Sequence, residues 1–166
     1  MTKTNSYRLE TFRSNELGCL GYADSDEQAV FYRTTTKPHT QDAEFDIDSV
    51  HTLPRVDIAY AYAGADGLLV RALVDAGVAG IVAGGLGSGG SPSKMMAALK
   101  AAAQSGVPVV IATQTGNGRV VRTRRYDEDG YIVADNLSPK KTRILLMMAL
   151  TKTKDPEEIQ RMMLTY

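Results

Sequence analysis

The feature that most constrains the fold is an apolar segment that leads directly into glycines and then into a helix start. Residues 80–83 are continuously apolar, as in a strand buried on both faces, and residues 84–90 are Gly-Gly-Leu-Gly-Ser-Gly-Gly. Ser91 and Pro92 form an N-cap and first-turn pair that predicts a helix through Gln104. A buried strand, a turn and a helix are the repeating unit of parallel α/β sheets.

The same unit recurs along the chain from Val56 onward. Apolar runs and helical spacing with capping residues predict three more strands and three more helices. The predicted strands are residues 56–62, 107–112 and 131–133, and the predicted helices are residues 66–76, the segment from Ser138 through residues 144–150, and the segment from Asp155. Because residues 144–150 are apolar on all sides, we expect them to be buried. The alternation predicts an α/β fold, a small parallel sheet with helices on both faces.

Residues 1–54 differ in character from the rest. A polar turn at residues 24–27 precedes residues 29–32, whose aromatic and β-branched side chains predict a short β-hairpin. Residues 34–54 are polar and contain two prolines, so we expect an extended linker arm. The chain is therefore predicted to have an N-terminal hairpin and arm over residues 1–54 and an α/β domain over residues 55–166.

The charge of the chain limits its partners. Lys and Arg number 19, as do Asp and Glu, so no overall field attracts nucleic acid or an anionic membrane surface. Four arginines between positions 119 and 125 are followed by acidic residues 127–129, which favours a solvated hairpin or loop over a phosphate-binding track. No stretch approaches the roughly 18 apolar residues of a membrane helix. We expect neither a nucleic-acid nor a membrane partner.

The glycine loop, residues 84–90, is the first candidate site. Ligands of α/β sheets bind at the carboxyl ends of strands, where backbone amides and a helix dipole favour an anion. Gly85, Gly87 and Gly90 match the dinucleotide spacing, but no acidic ribose ligand lies about 20 residues further on. The loop therefore either contacts a small anion or serves only as a tight turn.

Nucleophilic catalysis needs a hydroxyl or thiol beside a base. Residues 34–37 and 151–154 both combine Thr with Lys, although such residues most often lie on the surface. Cys19 is the only cysteine and is expected to be a small buried apolar residue.

Two further pairs of residues are candidates for ligand binding. His39 and His51 lack the Cys or second-His spacing of a metal site, so we expect no metal there and place both on the surface. Tyr60 and Tyr62 point to the same face of a predicted strand and are expected in the core.

Several motifs, in order along the chain, resemble the C-terminal domain of bacterial type II L-asparaginases. The loop at residues 85–90 resembles the G-x-G-N-G-N loop of that family, and the closing helices give the most specific match. The similar segments are residues 53–58, 60–63, 72–77, 80–82, 85–90, 116–120, 134–146 and 151–155. Weaker similarity extends back to residue 3.

The resemblance implies an amidohydrolase that converts L-asparagine to L-aspartate and ammonia without metal or cofactor. It places the threonine nucleophile in a larger N-terminal domain that matches nothing here, so no catalytic residue is expected in this chain. The family's C-terminal domain closes an intimate dimer and completes a substrate pocket. Ser88 and Gly90 stand where the family has two asparagines and Ser91 follows, so these three are the implied substrate-binding residues. The family's acidic contact falls near residues 123–126, which contain no carboxylate.

Three functions stay open at this point. The chain is the C-terminal part of an L-asparaginase, a homo-oligomer with asparagine or aspartate as ligand, whose N-terminal domain is separate or missing. Alternatively it is a stand-alone α/β module that binds a small anion such as aspartate without turnover, or a short amidohydrolase using Ser88 or the threonines at 34–36. The resemblance implies a periplasmic location, whereas a natural start at Met1 would imply the cytoplasm.

Overall fold

The computed structural model describes residues 2–14 and 16–166. It divides into two compact units, Met1–Asp42 and Ala43–Tyr166. Residues 43–54, predicted as part of the linker arm, group with the second unit. Glu44 explains this grouping, because its carboxylate lies 2.8 Å from the Arg161 guanidinium and its backbone N–H donates to the Tyr166 hydroxyl at 2.7 Å. The ring of Phe45 packs on that of Tyr166, with centroids 5.1 Å apart.

The first unit consists of two small antiparallel hairpins and a 3-10 turn. Strand β3 (Gly21–Ala23) pairs with β4 (Ala29–Phe31), which confirms the predicted hairpin. A second pair, β1 (Thr2–Lys3) with β2 (Phe12–Arg13), was not predicted. Among the described residues of this unit only Thr11 is buried, and Cys19 is half-buried rather than buried as expected. The unit therefore has almost no apolar core of its own.

The second unit is built on a parallel sheet of four strands in the order β5-β6-β7-β8. The strands are β5 (Val56–Tyr60), β6 (Gly80–Gly85), β7 (Val109–Thr113) and β8 (Ile132–Val133). All four lie where strands were predicted. Strand β6 continues through the first two glycines of the glycine loop, so these glycines pair in the sheet.

Four helices match the predicted ones. They are α1 (Leu68–Asp75), α2 (Ser93–Gln104), α4 (Pro139–Ala149) and α5 (Pro156–Thr165). A short helix, α3 (Arg124–Glu128), replaces the loop or hairpin predicted for the arginine-rich segment. The missed signal is local: Thr123 accepts the backbone N–H of Tyr126 as an N-cap, and Arg124 pairs with Glu128 one turn later at 2.8 Å.

Helices cover both faces of the sheet, as predicted. Alternate strand residues such as Ile81 and Ile111 pack with α1 and α2, and Val82 and Val110 pack with α4 and α5. The expectation that residues 144–150 are wholly buried is wrong, since Ile144 is 53% exposed. Only one side of α4 meets the sheet, so an apolar residue on its other side stays in solvent. No helix of the described residues is long and apolar enough to cross a membrane.

Candidate functional site

Parallel strands bring distant parts of the chain to one edge of the sheet. Strands β5, β6 and β7 end at Tyr60, Gly85 and Thr113, and all three ends lie at the carboxyl edge because the strands are parallel. The glycine loop rises from the middle of this edge and leads to α2. We call this region the carboxyl edge, and it is the candidate site.

The glycine loop is closed by its own hydrogen bonds. The N–H of Leu86 donates to the carbonyl of Gly90 at 2.6 Å, and the N–H groups of Gly89 and Gly90 donate to the carbonyl of Leu86 at 3.1 and 2.8 Å. Positive φ angles of 52° at Gly87 and 102° at Gly89 make the turn possible. Because three loop amides are engaged in this way, they are not available to an anion, and the geometry supports a tight-turn role for the loop backbone.

Close packing holds the loop against the core. A Cβ atom at Gly89 would lie 2.7 Å from Ile111 Cγ2, and one at Gly85 would lie 2.3 Å from the backbone of Gly89. The ring of Tyr60 lies across Gly84, where an added Cβ would come within 2.6 Å of it. The glycines thus let backbone and rings approach more closely than any side chain would allow.

The three predicted substrate-binding residues lie together at the loop tip and its exit. Ser88 and Gly90 are exposed, and Ser91 is half-buried with its hydroxyl oxygen buried and without a hydrogen-bond partner among the described residues. The predicted N-cap role of Ser91 is wrong, because α2 begins at Ser93 with Pro92 in the cap position and no side-chain cap. Pro92 has a ψ of 148°, outside the helical region, so the first helical residue is Ser93 and Ser91 lies one position too early to cap the helix.

Polar residues after β7 were missed by the sequence reasoning and complete the edge. The Gln114 side chain donates to the carbonyl of Ala61 at 3.0 Å, and its backbone N–H donates to Gly85 at 3.0 Å. Thr113 and Thr115 hydroxyl oxygens lie 2.7 Å apart. The signal was available, since these polar residues directly follow an apolar run predicted as a strand. Gln114 thereby connects the ends of β5, β6 and β7.

Two tyrosines at this edge are more exposed to solvent than predicted. Tyr60 and Tyr62 are 40% and 62% exposed, so the expectation of core packing is wrong; both fall at or beyond the end of β5. Tyr126 of α3 reaches the loop from the other side, with its hydroxyl 3.3 Å from the position of a Cβ at Gly89. The segment 123–126 therefore lies beside the glycine loop.

Three of the four arginines around α3 form ion pairs with neighbouring carboxylates. Arg119 pairs with Asp135, Arg122 with Asp127 and Glu157, and Arg124 with Glu128. Hydrogen bonds from Arg122 lower the pKa of Glu157. These pairs reduce the free positive charge that a phosphate track needs.

Buried Tyr131 supports α3 from below. Its hydroxyl donates to the carbonyl of Met96 at 3.0 Å, and its ring contacts that of Tyr126 edge-on at 6.0 Å. Burial and, to a smaller extent, the charge of Asp129 raise the pKa of Tyr131 to about 12, so its hydroxyl keeps its proton at neutral pH.

The remaining candidates form no catalytic or metal-binding arrangement of their own among the described residues. His39 and His51 are exposed, and the described residues contain no group of three or more His, Cys, Asp or Glu side chains arranged to hold a metal. The Thr35 hydroxyl accepts the backbone N–H of Lys37, whose side-chain amine is buried without a partner in the described chain, so the two do not form a nucleophile–base pair. A cavity of about 300 Å³ lies between residues 45–52 and the end of α4, away from the glycine loop.

The chain is similar to asparaginases over its whole length. A family profile, the glutaminase/asparaginase C-terminal domain, matches residues 55–163. L-asparaginase 2 of Escherichia coli (strain K12) is 38% identical to this chain, and the match covers 100% of this chain and 48% of that protein. L-asparaginase 2 of Bacillus subtilis (strain 168) is 40% identical, and the match covers 96% of this chain and 42% of that protein. The crystal structure of a probable cytoplasmic L-asparaginase from Campylobacter jejuni gives a TM-score of 0.94 at 38% identity, covering 99% of this chain and 52% of that one. This chain thus spans about half the length of the relatives it matches.

Proposed function

The chain belongs to the glutaminase/asparaginase family, and from this membership we propose that it is the C-terminal part of an amidohydrolase that converts L-asparagine to L-aspartate and ammonia. The family match over residues 55–163 carries the proposal. In it the carboxyl edge forms one wall of the substrate pocket, with Ser88, Gly90 and Ser91 nearest to the substrate. No cofactor or metal takes part.

The chemistry of the carboxyl edge supports a nucleophile that comes from another domain. Acyl transfer needs a nucleophile with an adjacent base and donors for the oxyanion. The Thr113 and Thr115 hydroxyls bond each other, and Thr115 donates onward to the carbonyl of Asn117 at 2.7 Å, so both serve a local turn. The loop amides of Gly89 and Gly90 are engaged within the loop. We infer that an N-terminal asparaginase domain supplies the nucleophile.

The carboxyl edge also has the surface of an interface. Tyr60 and Tyr62, at and beyond the end of β5, are 40% and 62% exposed, and Leu86 of the glycine loop is 47% exposed. Large apolar groups gathered at one place mark a surface that another chain covers. A homo-oligomer, as the family resemblance implies, would bury them. Sedimentation of the 166-residue chain at micromolar concentration tests this, and a monomer would contradict it.

Ammonia release tests the proposed function directly. The purified chain alone should not hydrolyse asparagine above background, and the chain combined with a matching N-terminal asparaginase domain should do so. Robust activity of the chain alone, abolished by Thr35→Ala or Ser88→Ala, would instead establish a short self-sufficient hydrolase.

In the active combination, Ser88→Ala should raise KM more than it lowers kcat. A hydroxyl at the loop tip holds the fixed end of the substrate equally in the ground and transition states. Ser105→Ala, at the far end of α2, is the matched control and should leave both constants unchanged. A fall in kcat with unchanged KM would make Ser88 a participant in the chemistry.

The stand-alone anion-binding module makes a different prediction. It requires tight aspartate binding by the isolated chain without turnover, in calorimetry at neutral pH. The internal bonding of the loop amides counts against it, because those amides are the donors that such a site would use.

A further inference from the structure

Helix α3 is too short to hold its own position. It has five residues, Arg124–Glu128, none of them buried. A single helical turn is not stable in water without outside contacts, because nucleating a helix fixes several residues for one hydrogen bond. Since Tyr126 of this helix rests against the glycine loop, whatever fixes α3 also fixes that contact.

Three ion pairs connect α3 with its neighbours. Lys100 of α2 contacts Asp129, the C-cap residue of α3, at 2.6 Å. On the other side, Arg122 contacts Asp127 of α3 at 2.5 Å and Glu157 at the amino end of α5 at 2.7 and 3.0 Å. Arg122 therefore joins α3 to a helix 35 residues further along the chain.

The contact between Arg122 and Glu157 has the geometry of a strong ion pair. Each terminal nitrogen of the guanidinium donates to a different carboxylate oxygen of Glu157, and Nε donates to Asp127. Most exposed ion pairs contribute little, but bidentate arginine pairs within a network are the exception. Arg122 is 38% exposed, so it is also shielded in part from solvent.

We propose that Arg122 is a positioning residue, which holds α3 between Asp127 and Glu157 and so keeps Tyr126 packed against Gly89 in the glycine loop. Its effect on substrate rests on the proposed function, because the loop is then a wall of the substrate pocket. The effect of Arg122 on the position of the loop does not depend on the proposed function. The hydrogen bonds of the Arg122 guanidinium go to Asp127 and Glu157, so its effect on the loop passes through α3.

Amide hydrogen exchange of the full 166-residue chain tests the positioning role without any activity. The Leu86, Gly89 and Gly90 amides form the internal bonds of the loop, and Arg122→Gln should speed their exchange roughly two- to fivefold, the range open to an exposed ion pair. Arg122→Lys, which keeps the charge but loses the fork, should give a smaller increase. Arg124→Gln removes an ion pair within α3 whose arginine side chain is 92% exposed. It is the matched control, and it should speed loop exchange less than Arg122→Gln does.

A double-mutant cycle separates positioning from general stability. Glu157→Gln should give part of the effect of Arg122→Gln, because Arg122 also pairs with Asp127, and the double variant should be no worse than Arg122→Gln alone. Unchanged loop exchange in Arg122→Gln, an equal effect of Arg124→Gln, or a uniform increase throughout the core would overturn the proposal.

Activity provides a second readout. In the combination with an N-terminal asparaginase domain, Arg122→Gln should raise KM about as much as it speeds loop exchange, with kcat retained. If no combination hydrolyses asparagine, the proposed function fails, while the exchange experiment still decides the role of Arg122. Faster loop exchange with unchanged KM would overturn the link to substrate.

Discussion

At the scale of single residues, the glycine loop depends on the absence of a Cβ atom at its glycines. Gly87 and Gly89 both have positive φ, but their surroundings differ. A Cβ at Gly87 meets nothing within 4 Å, whereas one at Gly89 meets Ile111, Val120 and Tyr126. Backbone conformation and close packing therefore act separately at two positions of the same turn.

Alanine at each position should separate the two effects. Gly87→Ala should lower the free energy of unfolding by about 1–2 kcal/mol, the cost of a left-handed conformation for a residue with a side chain. Gly89→Ala should lose about 1–3 kcal/mol more through overpacking. Urea denaturation of both variants measures the difference, and equal losses would show that the loop can move away from the core.

Two N-caps in this chain offer a matched comparison. Asp155 accepts the N–H of Glu157 at 3.1 Å at the start of α5, whereas Ser138 occupies the cap position of α4 without a side-chain cap hydrogen bond. Asp155→Ala should therefore lower the free energy of unfolding by about 1 kcal/mol, and Ser138→Ala should change it far less. Similar losses in both variants would mean that the observed cap bond is not the source of stability.

At the scale of elements, the sheet needs protection at its short edge strand β8. Gln160 of α5 is buried and supplies that protection: its amide nitrogen donates to the carbonyl of Val133 at 3.1 Å and its amide oxygen accepts the N–H of Val133 at 2.9 Å. One side chain thereby pairs with the backbone as a neighbouring strand would. It also joins α5 to the sheet.

Replacement of this amide should be costly. Gln160→Leu leaves a buried N–H and a buried carbonyl unpaired, each worth about 1–3 kcal/mol. Gln104→Leu, on the exposed end of α2, is the control and should have little effect. Thermal and urea unfolding of both variants provide the measurement, and a neutral Gln160→Leu would mean that β8 finds other partners.

At the scale of the whole molecule, the two units differ in core. Residues 56–163 contribute two apolar clusters, one on each face of the sheet. The described part of the first unit buries only Thr11 and exposes large side chains such as Tyr7, Leu9 and Phe31 at 93%, 103% and 72%. Stability within one chain follows the density of buried contacts.

Limited proteolysis should reveal this difference. Trypsin should cut first in the smaller unit, at Arg8, Arg13 or Arg33, and leave a resistant fragment that begins at residue 34. Mass spectrometry of the early products identifies the sites. Early cleavage at Lys100 or Arg143, within helices of the second unit, would contradict the expectation. Binding of an N-terminal asparaginase domain should slow the cuts if it covers the exposed side chains.

The sequence alone determined the four strands of the parallel sheet, the four longer helices, their alternation and the place of the candidate site. Burial leaves a period of 3.6 in helices and an unbroken apolar run in doubly covered strands, so α1, α2, α4, α5 and the parallel sheet follow from local pattern. The position of Ser88, Gly90 and Ser91 at a strand end also follows, because parallel strands end at one edge. The family resemblance was carried by motifs in the same elements.

Only the tertiary structure decided which contacts those elements make. The ring of Tyr60 over Gly84, the Gln114 amide on Ala61 and the fork of Arg122 on Glu157 join residues far apart in the chain. The solvent exposure of Ile144 and the internal bonding of the loop amides were equally hidden. Local pattern records which face of an element is apolar, whereas these contacts depend on the distances at which several elements pack together, and no short stretch of sequence contains that information.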